Sequence, residues 1–243
     1  MGAIRSPECR DLPRGGSSAD ALPVQAGRSA EAWLPEESIV HAGDDLLVLD
    51  KPAGLLCQPG LGPLLADSLI TRLQQRWPQA QLVHRLDRDT SGLILVALDP
   101  FVHRGLSIQF AHRQVFKRYV ADVHGQPRDR EGRIALPLAR RQRNPPLYGP
   151  DPAGKPCCTD WRLLTGSGQQ TMSHSRLELW PLTGRSHQLR VHLSAIGHPI
   201  LGDPLYGPGV RTDARRLHLH ATDLRCVHPR SGAALVFSSP CPF

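Results

Sequence analysis

The sequence predicts an α+β fold with a mostly antiparallel sheet. Short apolar runs that read as strands recur along the chain, and helical periods fall between them irregularly rather than in steady βαβ alternation. Gly and Pro, at 22 and 23 of 243 residues, supply many turns and loops. A chain of this length can bury a core without disulfide or metal support.

Residues 1–35 stand apart. Gly15-Gly16-Ser17-Ser18 lies among scattered Pro, Arg and Ala with no sustained hydrophobic period, so a poorly ordered leader is expected, too short to be a separate module. Its acidic Glu8, Asp11, Asp20 and Glu31 argue against an organelle transit peptide. One domain is expected over residues 36–243. It opens with the apolar run Leu46–Leu49, closed by Asp50-Lys51-Pro52-Ala53-Gly54 as a strand entering a turn. A helix follows, capped by Asp67, with Leu69, Ile70, Leu73 and Trp77 on its apolar face and Pro78 as its stop. Leu93–Leu98 reads as a buried strand. Asp99-Pro100 begins a second helix with proline in the first turn, and Val102, Leu106 and Phe110 repeat every four residues. Tyr119–Val123 alternates as a strand.

Residues 125–156 read as loop-rich and carry Arg128, Arg130, Arg133, Arg140, Arg141 and Arg143. They suit either a solvated loop or, beside a basic cleft, a phosphate-gripping finger. Leu177, Leu179 and Leu182 alternate towards Thr183-Gly184-Arg185, after which Ser186 can cap a helix running to Gly197 with Leu189, Leu193 and Ile196 inward. Three strand-like runs complete the chain, at Leu217–Ala221, Leu224–Val227 and Ala233–Phe237.

The charge balance is basic, 29 Lys and Arg against 22 Asp and Glu, which favours contact with a polyanion and is equally compatible with a basic soluble enzyme. The six cysteines form no C-x-x-C pair, so neither a zinc site nor a disulfide framework is expected. No apolar stretch is long enough for a signal peptide or a bilayer span. A cytoplasmic protein with no membrane contact is the expectation.

Three constellations could carry chemistry. His84-Arg85-Leu86-Asp87-Arg88-Asp89-Thr90-Ser91-Gly92 places an imidazole, cations, two carboxylates and two hydroxyls at the mouth of an apolar strand, where a rigid sheet presents functional groups well. It could also be an ordinary turn stabilised by an Asp side chain. A calcium loop is excluded because the twelfth position is Leu98, not a bidentate Glu. An aspartic protease would need a second such loop, and none is present. The second constellation, Thr183 to His192, would put His187, Arg190 and Ser194 on one face of a helix whose N-terminus suits an anion, or would be a plain amphipathic helix with a basic face. The third, Lys117-Arg118-Tyr119, sets basic residues before one of only three tyrosines, which could pack or stack on a base.

Together with Asp50–Leu56, Lys155-Pro156-Cys157-Cys158-Thr159, His198–Asp203 and Leu217–Ala221, these segments resemble the RluA family of pseudouridine synthases, in that family's order from about residue 44 to the C-terminus. Within it they are nearest to the dual-specificity branch acting on 23S ribosomal RNA and tRNA. The resemblance implies a pseudouridine synthase fold with a mixed, mostly antiparallel central sheet, flanking helices and a central catalytic cleft. It also implies a catalytic domain without an N-terminal S4 RNA-binding domain. The implied substrate is a uridine in structured RNA, flipped from its stem-loop and isomerised by an aspartate nucleophile.

By position, Asp87 matches the family's catalytic aspartate, Tyr119 its active-site tyrosine, and Arg190 the basic residue that pairs with the aspartate, here expected to bind it bidentately. Arg85 matches the arginine that fills the gap left by the flipped base. Lys117, Arg140, Arg141, Arg185 and His187 are further expected RNA contacts. Cys157 departs from the family's usual alanine, and a packing variation is expected there. Two routes are open to the aspartate: attack on C1′ or removal of a sugar proton. No metal or organic cofactor is expected for a redox-neutral isomerisation, and the protein is expected to act as a monomer. A non-catalytic RNA binder would have no need of the Asp87–Tyr119–Arg190 trio, and a glycosidase would need a second catalytic acid.

Overall fold

The computed structural model describes residues 38–164, 174–207 and 214–243. The leader expected at 1–35 lies outside the described residues.

Ten strands form one mixed sheet. β1 (Ile39–Ala42) and β2 (Leu46–Lys51) make one edge, followed by β4 (Ser91–Ala97), β11 (Leu219–Val227), β5 (Phe116–His124), β10 (His174–Pro181), β9 (Thr159–Leu163) and β6 (Glu131–Ile134). β3 (Gln81–Leu82) adds to β4 and β12 (Ala234–Ser238) to β11. Among the described residues only the β4–β11 pairing is parallel. At that seam Gly92, at φ +113°, faces the backbone of Ala221 so closely that a Cβ would sit 2.4 Å from its N and O atoms. The glycine that ends the polar segment is there because nothing larger fits.

Strand alternation splits the core. Leu47, Leu49, Ile94 and Val96 pack on one face against α1 (Leu69–Gln74), whose Leu69 and Leu73 are fully buried. Leu46, Val48, Leu93 and Leu95 pack on the other against Val102 and Leu106 of α2 (Pro100–Ala111). This burial on both faces explains why β4 reads as an unbroken apolar run. A further core joins β5, β9 and β10 to Leu189 and Leu193 of α3 (Gln188–Ala195). Tyr119 touches the α1-side core and this one, so it sits where two halves of the sheet meet.

α2 starts as read, with Asp99 accepting from the N–H groups of Phe101 and Val102. Elsewhere local expectations need correction. α1 is capped by Ser68 in a reciprocal box with Thr71, while Asp67 pairs instead with Arg72. The stretch 125–156 is loop-rich but also holds β6 and a separate two-stranded hairpin, β7 (Leu138–Gln142) and β8 (Leu147–Pro150), which the loop reading did not include. Ser186 does not cap α3; His187 holds that place in a left-handed conformation at φ 55°. Leu182 lies exposed beyond β10, and the first two tail runs are one strand, β11, with an irregularity between Ala221 and Asp223. Among the described residues no helix is long and apolar enough to cross a membrane.

Candidate active site

A cleft of about 550 Å³ opens between the 84–90 segment, the end of α2, the start of β5 and the 181–190 segment. It gathers Asp87, Tyr119 and Arg190, and also Arg85, Lys117, Arg185 and His187.

Each end of the 84–90 segment is pinned by a different device. His84 is stacked on Phe110, with ring centroids 4.4 Å apart, and its Nε2 accepts the Leu95 N–H at 2.9 Å. Burial, with a smaller contribution from Lys117, pushes this imidazole down to about 3, so it is a neutral anchor, not a proton carrier. Leu86 is buried and its N–H reaches Cys57 Sγ at 3.2 Å. Arg88 and Asp89 pair with each other on the surface at 2.9 Å, and Thr90 N–H closes a turn onto the Asp87 carbonyl. The segment is therefore both things the sequence allowed: a turn by its backbone and a presenter of Asp87 by its side chains.

Under this turn lies Lys51, wholly buried, donating to the carbonyls of Pro52, Leu55 and Arg88 at 2.7, 2.8 and 3.0 Å. Burial lowers its pKa to about 8, against the pull of Cys57, Asp89 and Asp87. At the far end Ser91 Oγ meets His220 Nδ1 at 2.7 Å, accepts from Arg216, and so ties the turn to β11. His220 continues to Ser239 at 3.0 Å, and Ser239 donates to Asp50.

Asp87 itself keeps 21% of its side chain exposed to the cleft, and its Oδ2 lies 3.9 Å from Arg190 Nη1. The expected bidentate pairing is not with Asp87. Arg190 is 2% exposed and directs Nε and Nη2 to Asp203 at 2.8 and 2.7 Å, leaving Nη1 for Asp87. Burial opposes the Arg190 charge, but Asp203, with help from Asp87 and Tyr206, outweighs it and raises its pKa further. Asp203 Oδ1 also accepts the N–H groups of Leu205 and Tyr206 at 2.9 and 3.1 Å, so the cation is held by a carboxylate that is itself fixed. The division of labour is physical: Asp203 neutralises and aims Arg190, and Asp87 keeps its oxygens free for chemistry.

Tyr119 stands close enough to Asp87 for that charge to add to burial in pushing its phenol well above the ordinary range. Its hydroxyl stays protonated and takes no hydrogen bond from the described residues. Gln188 shapes the opposite wall, accepting from Thr183 Oγ1 and Arg185 N–H and donating to the Cys158 carbonyl and Thr159. Arg85 Nη2 reaches across the cleft to Ser186 Oγ at 3.0 Å.

The cations sort into two groups. Arg118, Arg133, Arg162 and Arg176 are engaged with carboxylates. Arg141, also expected as an RNA contact, pairs with Asp151 at 3.1 Å and donates to the Pro150 carbonyl while staying half exposed. Arg85, Arg140 and Arg185 are exposed and meet no carboxylate among the described residues. Burial lowers the pKa of Lys117 at the cleft wall. Cys157, the departure from the resembled family, packs with Leu138 and Val191 away from Asp87. Among the described residues no group of three or more His, Cys, Asp or Glu could hold a metal ion. Sequence reasoning missed Asp203, Tyr206 and the burial of Lys51, all placed by non-local contacts; Asp203 and Lys51 had a signal, each lying in a segment already singled out.

Comparison with known proteins gives the family. A family model described as RNA pseudouridylate synthase matches residues 45–195. The dual-specificity RNA pseudouridine synthase RluA of Escherichia coli (strain K12) is 43% identical over 218 residues, covering 88% of this chain and 95% of its own. The protein of the same name from Yersinia pestis is 40% identical over 210 residues, covering 84% and 99%. Among solved structures, human RNA pseudouridylate synthase domain containing 1 superposes with a TM-score of 0.70 at 31% identity, covering 85% of this chain and 84% of its own.

Proposed function

The chain belongs to the RNA pseudouridylate synthase family, isomerases that convert uridine in RNA to pseudouridine, and from that premise we propose that Asp87 is its catalytic carboxylate and that its substrates are a 23S rRNA loop and a tRNA anticodon stem-loop. The observation that carries the first part is the placement of Asp87: exposed in the cleft, 3.9 Å from a buried arginine whose charge is fixed by a different carboxylate. That the relatives are dual-specificity enzymes supports two RNA substrates, and the resemblance of the sequence to the branch acting on 23S rRNA and tRNA supports these two.

The isomerisation breaks N1–C1′, turns the uracil and joins C5 to C1′. As N1–C1′ breaks, the sugar becomes oxocarbenium-like, and an ionised carboxylate beside it stabilises that charge. Arg190 sets its Nη1 beside one Asp87 oxygen without locking both. Tyr119 stacks on the detached base and keeps it from leaving, and its protonated hydroxyl is placed to assist proton movement at C5. Reaching the base costs roughly a few kcal/mol of unstacking. Arg85, held across the cleft mouth, enters the vacated place, and Lys117, Arg140, Arg185 and His187 offset the remaining cost through RNA contacts. We further propose a monomeric active form, placed in the cytoplasm with such RNAs.

The test is to incubate the protein with transcripts of both stem-loops and map pseudouridine. Modification of one uridine in each is expected. Release of free uracil would instead identify a glycosidase, and pseudouridine in only one RNA would remove dual specificity. Mapping total RNA from cells with and without the gene would then name the positions.

A further inference from the structure

Only three tyrosines occur in the chain, and two that the reaction scheme leaves unused, Tyr148 and Tyr206, meet beside the cleft. Tyr206 follows the turn fixed by Asp203, and its ring lies 5.1 Å from the Arg190 guanidinium carbon. Its hydroxyl accepts the N–H of Tyr148, on β8, at 3.0 Å and meets His187 Nδ1 at 2.7 Å. The Tyr148 ring stands edge-on to His187 at 5.2 Å, with Arg140 5.7 Å from its centre. A continuous set of contacts thus runs from the basic hairpin β7–β8 through Tyr206 to Arg190 and Asp87.

The hydrogen-bond accounting adds a chemical consequence. A phenol has one proton and two lone pairs. One lone pair takes the Tyr148 N–H, and among the described residues the only acceptor for the proton is His187 Nδ1. Donation of that proton to Nδ1 puts the imidazole proton of neutral His187 on Nε2. Nε2 has no protein partner among the described residues and remains accessible, so the cleft wall presents a neutral N–H donor near Asp87.

We propose that Tyr206 is a positioning residue of this reaction: its ring braces Arg190, and its hydroxyl locks the RNA-facing hairpin to His187 and aims the His187 Nε2–H at an oxygen of the bound RNA. This rests on the pseudouridine synthase reading above, and it assigns the tautomer of His187 whether or not the two proposed RNAs are the substrates.

Two measurements test it. The imidazole ¹⁵N spectrum of the RNA-free protein, with the His187 signals identified by their loss in His187→Gln, should show the Nε2–H tautomer; the Nδ1–H form would overturn the proposal. On a stem-loop that the wild-type protein modifies, Tyr206→Phe keeps the ring and loses the hydroxyl. KM should rise about five- to tenfold, the scale of one or two lost hydrogen bonds, with a smaller fall in kcat. Tyr206→Leu loses the ring as well, and kcat should fall about a further tenfold as Arg190 loses its cover. Equal KM values for wild type and Tyr206→Phe, or equal kcat for the Phe and Leu variants, would overturn it. Absence of pseudouridine formation by the wild type would count against the function and leave the spectrum as the test of Tyr206.

Discussion

Asp203→Ala is the substitution whose cost follows most directly from the structure. Arg190 is 2% exposed and the Asp203 side chain is wholly buried; their two bonds, at 2.8 and 2.7 Å, are the only full neutralisation the guanidinium has among the described residues. Removing the carboxylate leaves a buried cation whose nearest anion among the described residues is Asp87, at 3.9 Å. Breaking one side of such a pair costs about 3–5 kcal/mol. Two backbone N–H groups, of Leu205 and Tyr206, also lose their acceptor, which pushes the cost towards the upper end. Urea unfolding at neutral pH reads this as a lower midpoint at unchanged slope. The charge argument has its own control: Arg190→Met with Asp203→Leu removes both charges and should recover most of the loss, to within about 1–2 kcal/mol of wild type. Activity should not return, because Arg190 is gone. An Asp203→Ala protein within about 1 kcal/mol of wild type, or a double variant no more stable than the single, would refute the view of Asp203 as the counter-charge that frees Asp87.

Two further outcomes follow from the same geometry. Arg85→Ala touches an exposed side chain whose one protein hydrogen bond among the described residues is to Ser186, so stability should stay within about 0.5 kcal/mol while turnover of an intact stem-loop falls roughly tenfold. The fall should shrink on an RNA whose target uridine is already unstacked, and an equal fall on both substrates would exclude the gap-filling role. Acid should destabilise the protein early. Burial pushes His84 down to about 3 and His220 to about 4, the latter against the pull of Asp50, from an ordinary value of 6.5. Between pH 6.5 and 4 the unfolded chain therefore binds more protons than the folded one, so stability is full above 6.5 and declines as pH falls through that window. Urea midpoints measured from pH 7 to 4.5 should fall, with a shallower slope in His220→Gln, and a flat profile would contradict the neutral, buried assignment.

What could be read from the sequence was what local chemistry decides. Asp99-Pro100 announces a helix start because cap and proline act on the next two residues, and the structure keeps both. Asp67 and Ser68 are both good caps, and only the chain's path through the turn selects Ser68. The β7–β8 hairpin escaped notice because Arg140, Arg141 and Gln142 lie exposed in a separate two-stranded ribbon and show no apolar alternation. Asp87, Tyr119 and Arg190 were legible as a set by resemblance, and the fold brings all three to one cleft. Their pairing was not legible. Arg190 had Asp87 and Asp203 as candidate partners, and which one receives the guanidinium fork depends on a turn that aims Asp203 Oδ1 at two backbone N–H groups as well. The left-handed His187 likewise follows from tertiary closure of the cleft wall, since Gln188 draws the preceding residues back onto itself.

The role of Asp87 is tested most directly by Asp87→Ala. The residue is partly exposed and Arg190 retains Asp203, so the variant should fold normally and bind the stem-loop within about threefold of wild type, a difference of less than about 1 kcal/mol. Pseudouridine formation in a single-turnover assay should be abolished. Measurable turnover in a preparation free of wild-type enzyme would show that another group carries the reaction.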